Sequence, residues 1–245
     1  MTDSISDRLR WLSWGRPKRG HGDHEYEDAV AANPILGRFA IADGASESAF
    51  SGEWARCLVR SFVEHLQDVF DENHWFAQAR REFGDMVTGR PLPWYLEEQL
   101  RQGAHAAFLG FSLTPRPDNM WDWHALAIGD CCLFHLRGTR VTLSFPATSS
   151  GDFNQLPKLI DSRWDSLPVQ RQTWGRACSG DAFLLMTDAL AKWALERDES
   201  RTPVWPDLLR FDALPGLVQS ASAAGQLRND DVTMLLIELR PETHD

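Results

Sequence analysis

The chain has no run of 18 consecutive apolar residues, so nothing in it reads as a membrane-spanning helix. Its first residues lack the charged segment, apolar run and small-residue cleavage site of a secretion signal, and a cytoplasmic protein is expected. Cysteine is scarce. Cys57, Cys131, Cys132 and Cys178 form no CxxC pair and show no Cys/His spacing of a zinc site, which points to reduced thiols in or near the core. Positive charge is in deficit, with 25 Lys and Arg against 35 Asp and Glu and a formal net charge of -10. That balance argues against nucleic acid or an anionic membrane surface as the main partner. No internal repeat, low-complexity tract or long Gly/Ser linker divides the chain. Ser46 and Ser48 lack the GxSxG context of a nucleophile elbow and read as caps of a following helix.

What is present is a core-forming composition, 43% hydrophobic over 245 residues, with 11 tryptophans that mostly sit beside apolar neighbours. Residues 1–20 read as a partly ordered polar lead-in anchored by Trp11 and Trp14, and residues 21–240 as one domain. A turn at Asn33-Pro34 separates two short strands, the second running from Gly37 to Ala42 and ending on Asp43-Gly44. Trp54, Leu58, Phe62, Leu66 and Val69 recur at helical spacing. A second helix is expected over Trp75 to Val87, broken by Pro91 and Pro93, and a third from Trp94 to about Leu109. Alternation then predicts two strands within Trp121 to Arg137, joined by a tight turn at Ile128-Gly129-Asp130. Val141 to Phe145 is another strand, followed by a long loop over 146–168. Strands follow at Val169 to Ala177 and Ala182 to Thr187, then helical text, then a final strand from Val232 to Leu239.

Acids collect where these strands end: Glu27 and Asp28, Asp43, Asp130, Asp188, and Asp230 with Asp231. Carboxylates gathered at a sheet edge repel one another unless cations neutralise them, and hard divalent ions with oxygen ligands do this best. Asp-Gly is also a common turn dipeptide, so no single member of the set is decisive.

In order and spacing the set resembles the metal-dependent PP2C (PPM) family of Ser/Thr protein phosphatases, compact bacterial type. The strings are Glu27-Asp28-Ala29, Ile41-Ala42-Asp43-Gly44, Ala127-Ile128-Gly129-Asp130, Leu184-Leu185-Met186-Thr187-Asp188, and Asn229-Asp230-Asp231-Val232-Thr233, spread over about residues 20 to 240. The resemblance implies an α+β fold, a sandwich of two antiparallel sheets flanked by pairs of helices. It implies two Mn²⁺ or Mg²⁺ ions, with Asp43 bridging them, Gly44 offering its carbonyl and Glu27 acting through water on one side. Asp188 and Asp230 serve the other ion, Asp130 a third and weaker one, and Asp28 and Asp231 support the ligands. The implied reaction is hydrolysis of phosphoserine or phosphothreonine in proteins by in-line attack of a hydroxide bridging the two ions. The implied partners are phosphoproteins and a Ser/Thr kinase that the enzyme, a monomer, opposes.

Four departures qualify this. Asp23 stands where well-known members place a phosphate-holding Arg, leaving His24, Arg16 or Arg19 as substitutes. Ala45 stands where some members have a His, and Ala189 replaces a glycine. Phe145 to Phe153 replaces an Asp-His segment, which opens the question of substrate preference. The missing Arg, the absent His and the tryptophan content motivate an alternative, a catalytically weak or inactive PP2C-fold module that binds phosphoproteins or partners. A small-molecule phosphohydrolase would differ from the enzyme only in substrate.

Overall fold

The computed structural model describes residues 5–67, 69–70, 74–88, 93–154 and 157–241. Alternation of side chains along its strands explains the layers. In β3 (Arg38–Gly44), Phe39 and Ile41 face one way and Ala40 and Ala42 the other, and all four are buried. Phe39 and Ile41 join Leu109 and Phe111 of β4 (His105–Pro115), Trp121 and Trp123 of β5 (Met120–Ile128), Phe183 and Leu185 of β10 (Asp181–Met186), and Leu235 and Ile237 of β11 (Val232–Leu239) in one apolar cluster. This is the core between two sheets.

One sheet has the order β1-β11-β10-β6-β7, adding β1 (Leu9–Arg16), β6 (Cys132–Arg137) and β7 (Arg140–Phe145). The other has the order β2-β3-β4-β5-β9, adding β2 (Ala29–Asn33) and β9 (Arg171–Cys178), with the two-residue β8 (Ile160–Asp161) paired to β4. Every pairing is antiparallel. Helices cover the outer faces. α1 (Ser51–Glu64) and α2 (His74–Val87) seal the second sheet through Trp54, Phe62 and Trp75, while Leu100 of α3 (Trp94–Gln102) packs at the margin of that cluster. α4 (Asp188–Glu199), α5 (Trp205–Leu209) and α6 (Leu214–Ala223) seal the first through Leu190, Trp205, Leu208 and Val218. The expected α+β sandwich of two antiparallel sheets flanked by helices is what the chain forms.

Four local expectations are corrected. The segment read as a polar lead-in contains β1, an edge strand paired with β11 along its whole length from Leu9↔Leu239 to Arg16↔Val232. Its alternation was hidden because an edge strand keeps one face wet and so mixes Trp with Arg. The third helix stops at Gln102, and the apolar residues after it form β4, buried on both faces; a continuous apolar run of this kind carries no period that distinguishes strand from helix. The strands on either side of Gly129 are not a hairpin. β5 belongs to one sheet and β6 to the other, so the turn is a crossover between layers. Finally, α1 ends at Glu64, leaving Leu66 exposed and Val69 buried beyond the helix. Pro91 lies outside the described residues.

Candidate active site

The pairing of β2 with β3 sets Ala29 opposite Ala42. Continued beyond that pair in the same register, Asp28 falls one step on, opposite Asp43, and Glu27 two steps on, opposite Gly44. Gly44 is needed for a close approach: a Cβ there would lie 2.8 Å from the Glu27 carbonyl oxygen and 2.8 Å from the Ser51 carbonyl group. The arm bearing Glu27, the end of β3 and the first turn of α1 therefore meet at a point where no side chain fits. Asp43 continues the Phe39–Ile41 series and so faces the opposing sheet.

Three more acids arrive from that direction. Asp130 sits on the β5–β6 crossover, after Gly129 at φ +93, where a side chain would also collide with Ala107. Asp188 is the first residue of α4, directly beyond β10, and Asp230 lies just before β11. Because β10 and β11 are neighbours, one guanidinium reaches both acids: Arg228 Nη1 lies 3.0 Å from Asp188 Oδ2 and Nη2 lies 2.7 Å from Asp230 Oδ2.

These groups act on one another electrostatically. Burial pushes the Asp43 carboxyl well above the usual carboxylate range, and Asp28, Asp188, Asp130 and Asp230 push it further. Asp28 is raised by burial, with Asp231 and Asp188 adding to it against hydrogen bonds from Thr233 and Thr187. Asp188 is raised by burial, with Arg228 opposing and Asp230 adding. Asp130 is pushed up to about 6 by burial and then by Asp188.

Hydroxyls and backbone amides fix the set. Ser51 Oγ donates to Glu27 Oε1 at 2.7 Å, and Ser46 Oγ donates to Glu27 Oε2. Ser46 is thus a partner of Glu27, and Ser48 bonds the Ala45 carbonyl and the His105 amide; the N-cap of α1 is Phe50, with no side-chain cap hydrogen bond, which corrects the expected capping roles. Asp28 Oδ2 accepts from Thr233 Oγ1 at 2.6 Å and Thr187 Oγ1 at 3.0 Å, tying β2 to β10 and β11 across the two sheets. Asp231 accepts from two backbone amides, Lys18 N at 2.8 Å and Glu27 N at 2.7 Å. Asp231→Ala would strand both amides and is expected to lower the unfolding free energy in urea by about 3 kcal/mol. Asp231→Asn, which keeps one acceptor oxygen, should lose about half of that.

Of the three basic residues expected to hold phosphate, Arg16 donates to Ser222 Oγ at 2.9 Å, Arg19 is bound to Asn229 Oδ1, and the His24 side chain is 86% exposed beside Glu25. The structure instead brings Lys18 to the carboxylates. Its Nζ lies 3.2 Å from Glu27 Oε2 and 2.8 Å from Ser46 Oγ. Burial alone would lower the ammonium pKa, yet Glu27, Asp231 and Asp230 hold it above its ordinary value. Sequence reasoning missed Lys18 because β1 was not recognised as the strand that delivers it. Arg228 was missed because nothing local links it to Asp188, forty residues away.

Among the described residues no three His, Cys, Asp or Glu side chains are grouped tightly enough to form a ready-made metal cluster. The donor chemistry nevertheless fits hard cations. It consists of carboxylate oxygens, they raise one another's pKa, and Asp28 Oδ1 and Asp188 Oδ1 are buried without a hydrogen-bond partner.

Residues 23–221 match the family model described as protein phosphatase 2C. No curated protein matches the chain. Among solved structures, the catalytic domain of the serine/threonine protein phosphatase PstP in complex with two manganese ions aligns with TM-score 0.65 at 16% identity, covering 95% of this chain and 99% of that one. The PstP/Ppp phosphatase of Mycobacterium tuberculosis aligns with TM-score 0.61 at 16% identity over the same shares. PppA, a regulatory component of the T6SS in Pseudomonas aeruginosa, aligns with TM-score 0.59 at 18% identity over 94% of this chain and 97% of that one. At such identities the likeness speaks for the fold.

Proposed function

The chain belongs to the protein phosphatase 2C family of protein serine/threonine phosphatases, and from that premise we propose that its acids form a divalent-metal centre that hydrolyses phosphoserine and phosphothreonine in proteins. One observation carries the reading: Asp28, Asp188, Asp130 and Asp230, drawn from both sheets, act electrostatically on the Asp43 carboxylate at the end of β3. An isolated cluster of that kind costs stability, and bound cations relieve it. Asp43, Glu27, Asp188 and Asp230, with the Gly44 carbonyl, hold two Mn²⁺ or Mg²⁺ ions, and Asp130 serves a weaker third. Ions bound there supply a nucleophilic water at neutral pH and neutralise charge on the phosphoryl oxygens.

The chain's own residues do the rest. Asp28, through Thr187 and Thr233, keeps the ends of the two sheets in register beside Asp43. Asp231 fixes the backbone of the Glu27 arm, and Ser46 and Ser51 set the rotamer of Glu27. Lys18 places positive charge on the Glu27 side, where an incoming phosphate meets it. The substrates are the products of a Ser/Thr kinase. No helix among the described residues is long and apolar enough to cross a membrane, and all four cysteines are free, which supports a cytoplasmic site of action.

The test is turnover of p-nitrophenyl phosphate and of a phosphothreonine peptide with Mn²⁺ and with EDTA. Hydrolysis that depends on Mn²⁺ is expected; no hydrolysis of either substrate with Mn²⁺ or Mg²⁺ would refute the reading. The Arg228 bridge favours a second reading, a phosphoprotein-binding module in which the guanidinium permanently neutralises Asp188 and Asp230. A wild type that binds phosphothreonine peptides without hydrolysing them, and an Arg228→Ala variant that gains Mn²⁺ binding, would establish it.

The raised carboxyls also predict an unusual pH dependence. A carboxyl whose folded pKa lies above its unfolded value holds a proton in the folded state that the unfolded chain has lost, so it adds stability as pH falls. Asp28, Asp43, Asp130 and Asp188 all act in this sense. Burial depresses the His135 pKa, which opposes them as pH falls below the usual His range, but it is one group against four. Asp181 is buried yet held down to about 2 by Arg137, the Cys178 amide and His135; its stabilisation is fully present above pH 4 and is lost only as pH falls towards 2. In EDTA the melting temperature should therefore rise as pH is lowered from 8 to 5. With saturating Mn²⁺ the trend should reverse, because protons compete with the ions.

A further inference from the structure

A cleft of about 240 Å³ opens beside the Gly129–Asp130 crossover, lined by Gly129, Asp130, Asp152, Lys158, Val169 and Arg171. Asp130 links it to the carboxylate cluster, since Asp188 and Asp230 act on that acid. Two cations flank the crossover. Arg171 begins β9 and pairs with Ala127, three residues before Asp130. The Lys158 carbonyl oxygen lies 3.6 Å from where a Gly129 side chain would begin, so the backbone at Lys158 is laid against the same turn.

In a chain of net charge -10, most basic side chains near the cluster are already paired, as Lys18 and Arg228 are. Lys158 and Arg171 differ. Both are exposed, and among the described residues neither side chain has a hydrogen-bond or ion-pair partner. Asp152, the other acid on the cleft wall, is turned towards the Thr148 and Ser149 amides, which it accepts at 2.8 and 3.0 Å. Val169, 85% exposed, supplies an apolar shoulder. A pair of unpartnered cations beside an apolar wall, one turn away from the reacting centre, is suited to an anionic side chain on an extended segment.

We propose that this cleft is a substrate subsite, in which Lys158 and Arg171 select phosphopeptides carrying a second anionic group, an acidic residue or another phosphate, near the phosphoresidue. The proposal rests on the phosphatase reading for what occupies the cluster, but it concerns binding and is testable by binding alone.

The experiment measures fluorescence anisotropy of labelled phosphothreonine peptides, in the presence of Mn²⁺, whose neighbouring positions carry Glu, phosphoserine or Lys. The wild type and Lys158→Ala/Arg171→Ala are compared, with p-nitrophenyl phosphate turnover followed in parallel. The wild type should bind the Glu or phosphoserine peptide about five- to tenfold more tightly than the Lys peptide, with the preference shrinking at high salt. The double variant should lose that preference while p-nitrophenyl phosphate turnover stays unchanged. A gain with phosphoserine only would identify a second phosphate as the ligand; a gain with both would identify any anion. Equal binding of all peptides by the wild type, or a preference that survives the double variant, would overturn the proposal. Absent p-nitrophenyl phosphate turnover would count against the phosphatase reading, and the peptide preference would still decide the subsite.

Discussion

Asp43→Asn should reduce Mn²⁺-dependent hydrolysis of p-nitrophenyl phosphate by a factor on the order of 10³ or more, equivalent to about 4 kcal/mol of transition-state stabilisation. The substitution preserves shape and removes one charge from the residue on which the other acids converge. Its effect on stability should have the opposite sign. Asp43 is half-buried and is acted on by Asp28, Asp188, Asp130 and Asp230, so deleting its charge relieves repulsion. In EDTA the variant should melt a few degrees higher than the wild type, a gain of about 1 kcal/mol being worth roughly 2–4 °C in a chain of this size. An inactive yet stabilised variant cannot be explained by misfolding. A variant that retained activity, or was inactive and melted lower, would remove Asp43 from the centre of the site.

Gly44→Val is expected to damage both fold and function. Even a Cβ would sit 2.8 Å from the Glu27 carbonyl oxygen and from the Ser51 carbonyl group, and both obstacles are backbone. The β2 arm and the first turn of α1 must move apart, at a cost of about 3 kcal/mol, with a correspondingly lower urea midpoint. The same movement displaces Glu27 from Ser46 and Ser51, which hold it. Misplacement of about 1 Å in a catalytic constellation can cost roughly 10²-fold in rate, and a loss of that size is expected in whatever fraction remains folded. Gly44→Ala should show the same effects at smaller amplitude. Normal activity and stability in Gly44→Val would mean that the Glu27 arm is not fixed to the end of β3.

How much of this could be read beforehand depended on what each segment packs against. Phe39 to Ala42 and Val232 to Leu239 are strands bounded by an acid, and their apolar text and its abrupt end identified the element and pointed to a candidate ligand at its end. β4 was read as the end of a helix because its two faces are covered alike, one by α1 and α2 and the other by the opposing sheet. The crossover at Gly129 was read as a hairpin turn because two alternating runs separated by a glycine look the same whether or not they share a sheet. Its φ of +93 and the tight contact with Ala107 belong to a chain changing layers.

Within the site, the acids were legible because each sits at a strand end, and strand ends are local features. Their mutual placement follows from strand order, which local text does not contain. The basic residues failed for a related reason. Arg16, Arg19 and His24 were chosen by proximity in sequence to Glu27, yet β1 runs beside β11 and turns Arg16 towards Ser222, leaving Lys18 as the residue that reaches Glu27. Lys158 and Arg171 stand thirteen positions apart and meet only because the loop between them returns to the crossover that bears Asp130.

Calorimetric titration of Mn²⁺ into the wild type and into Asp43→Asn, at pH 7.5 and with no substrate present, tests the metal centre most directly. Saturable binding to the wild type is expected, abolished or weakened by at least about tenfold in the variant, since Asp43 is the carboxylate on which the other acids act and would be a ligand of the proposed centre. Equal binding by the two proteins, or no binding to a wild type that still hydrolyses phosphothreonine peptides in EDTA, would contradict it.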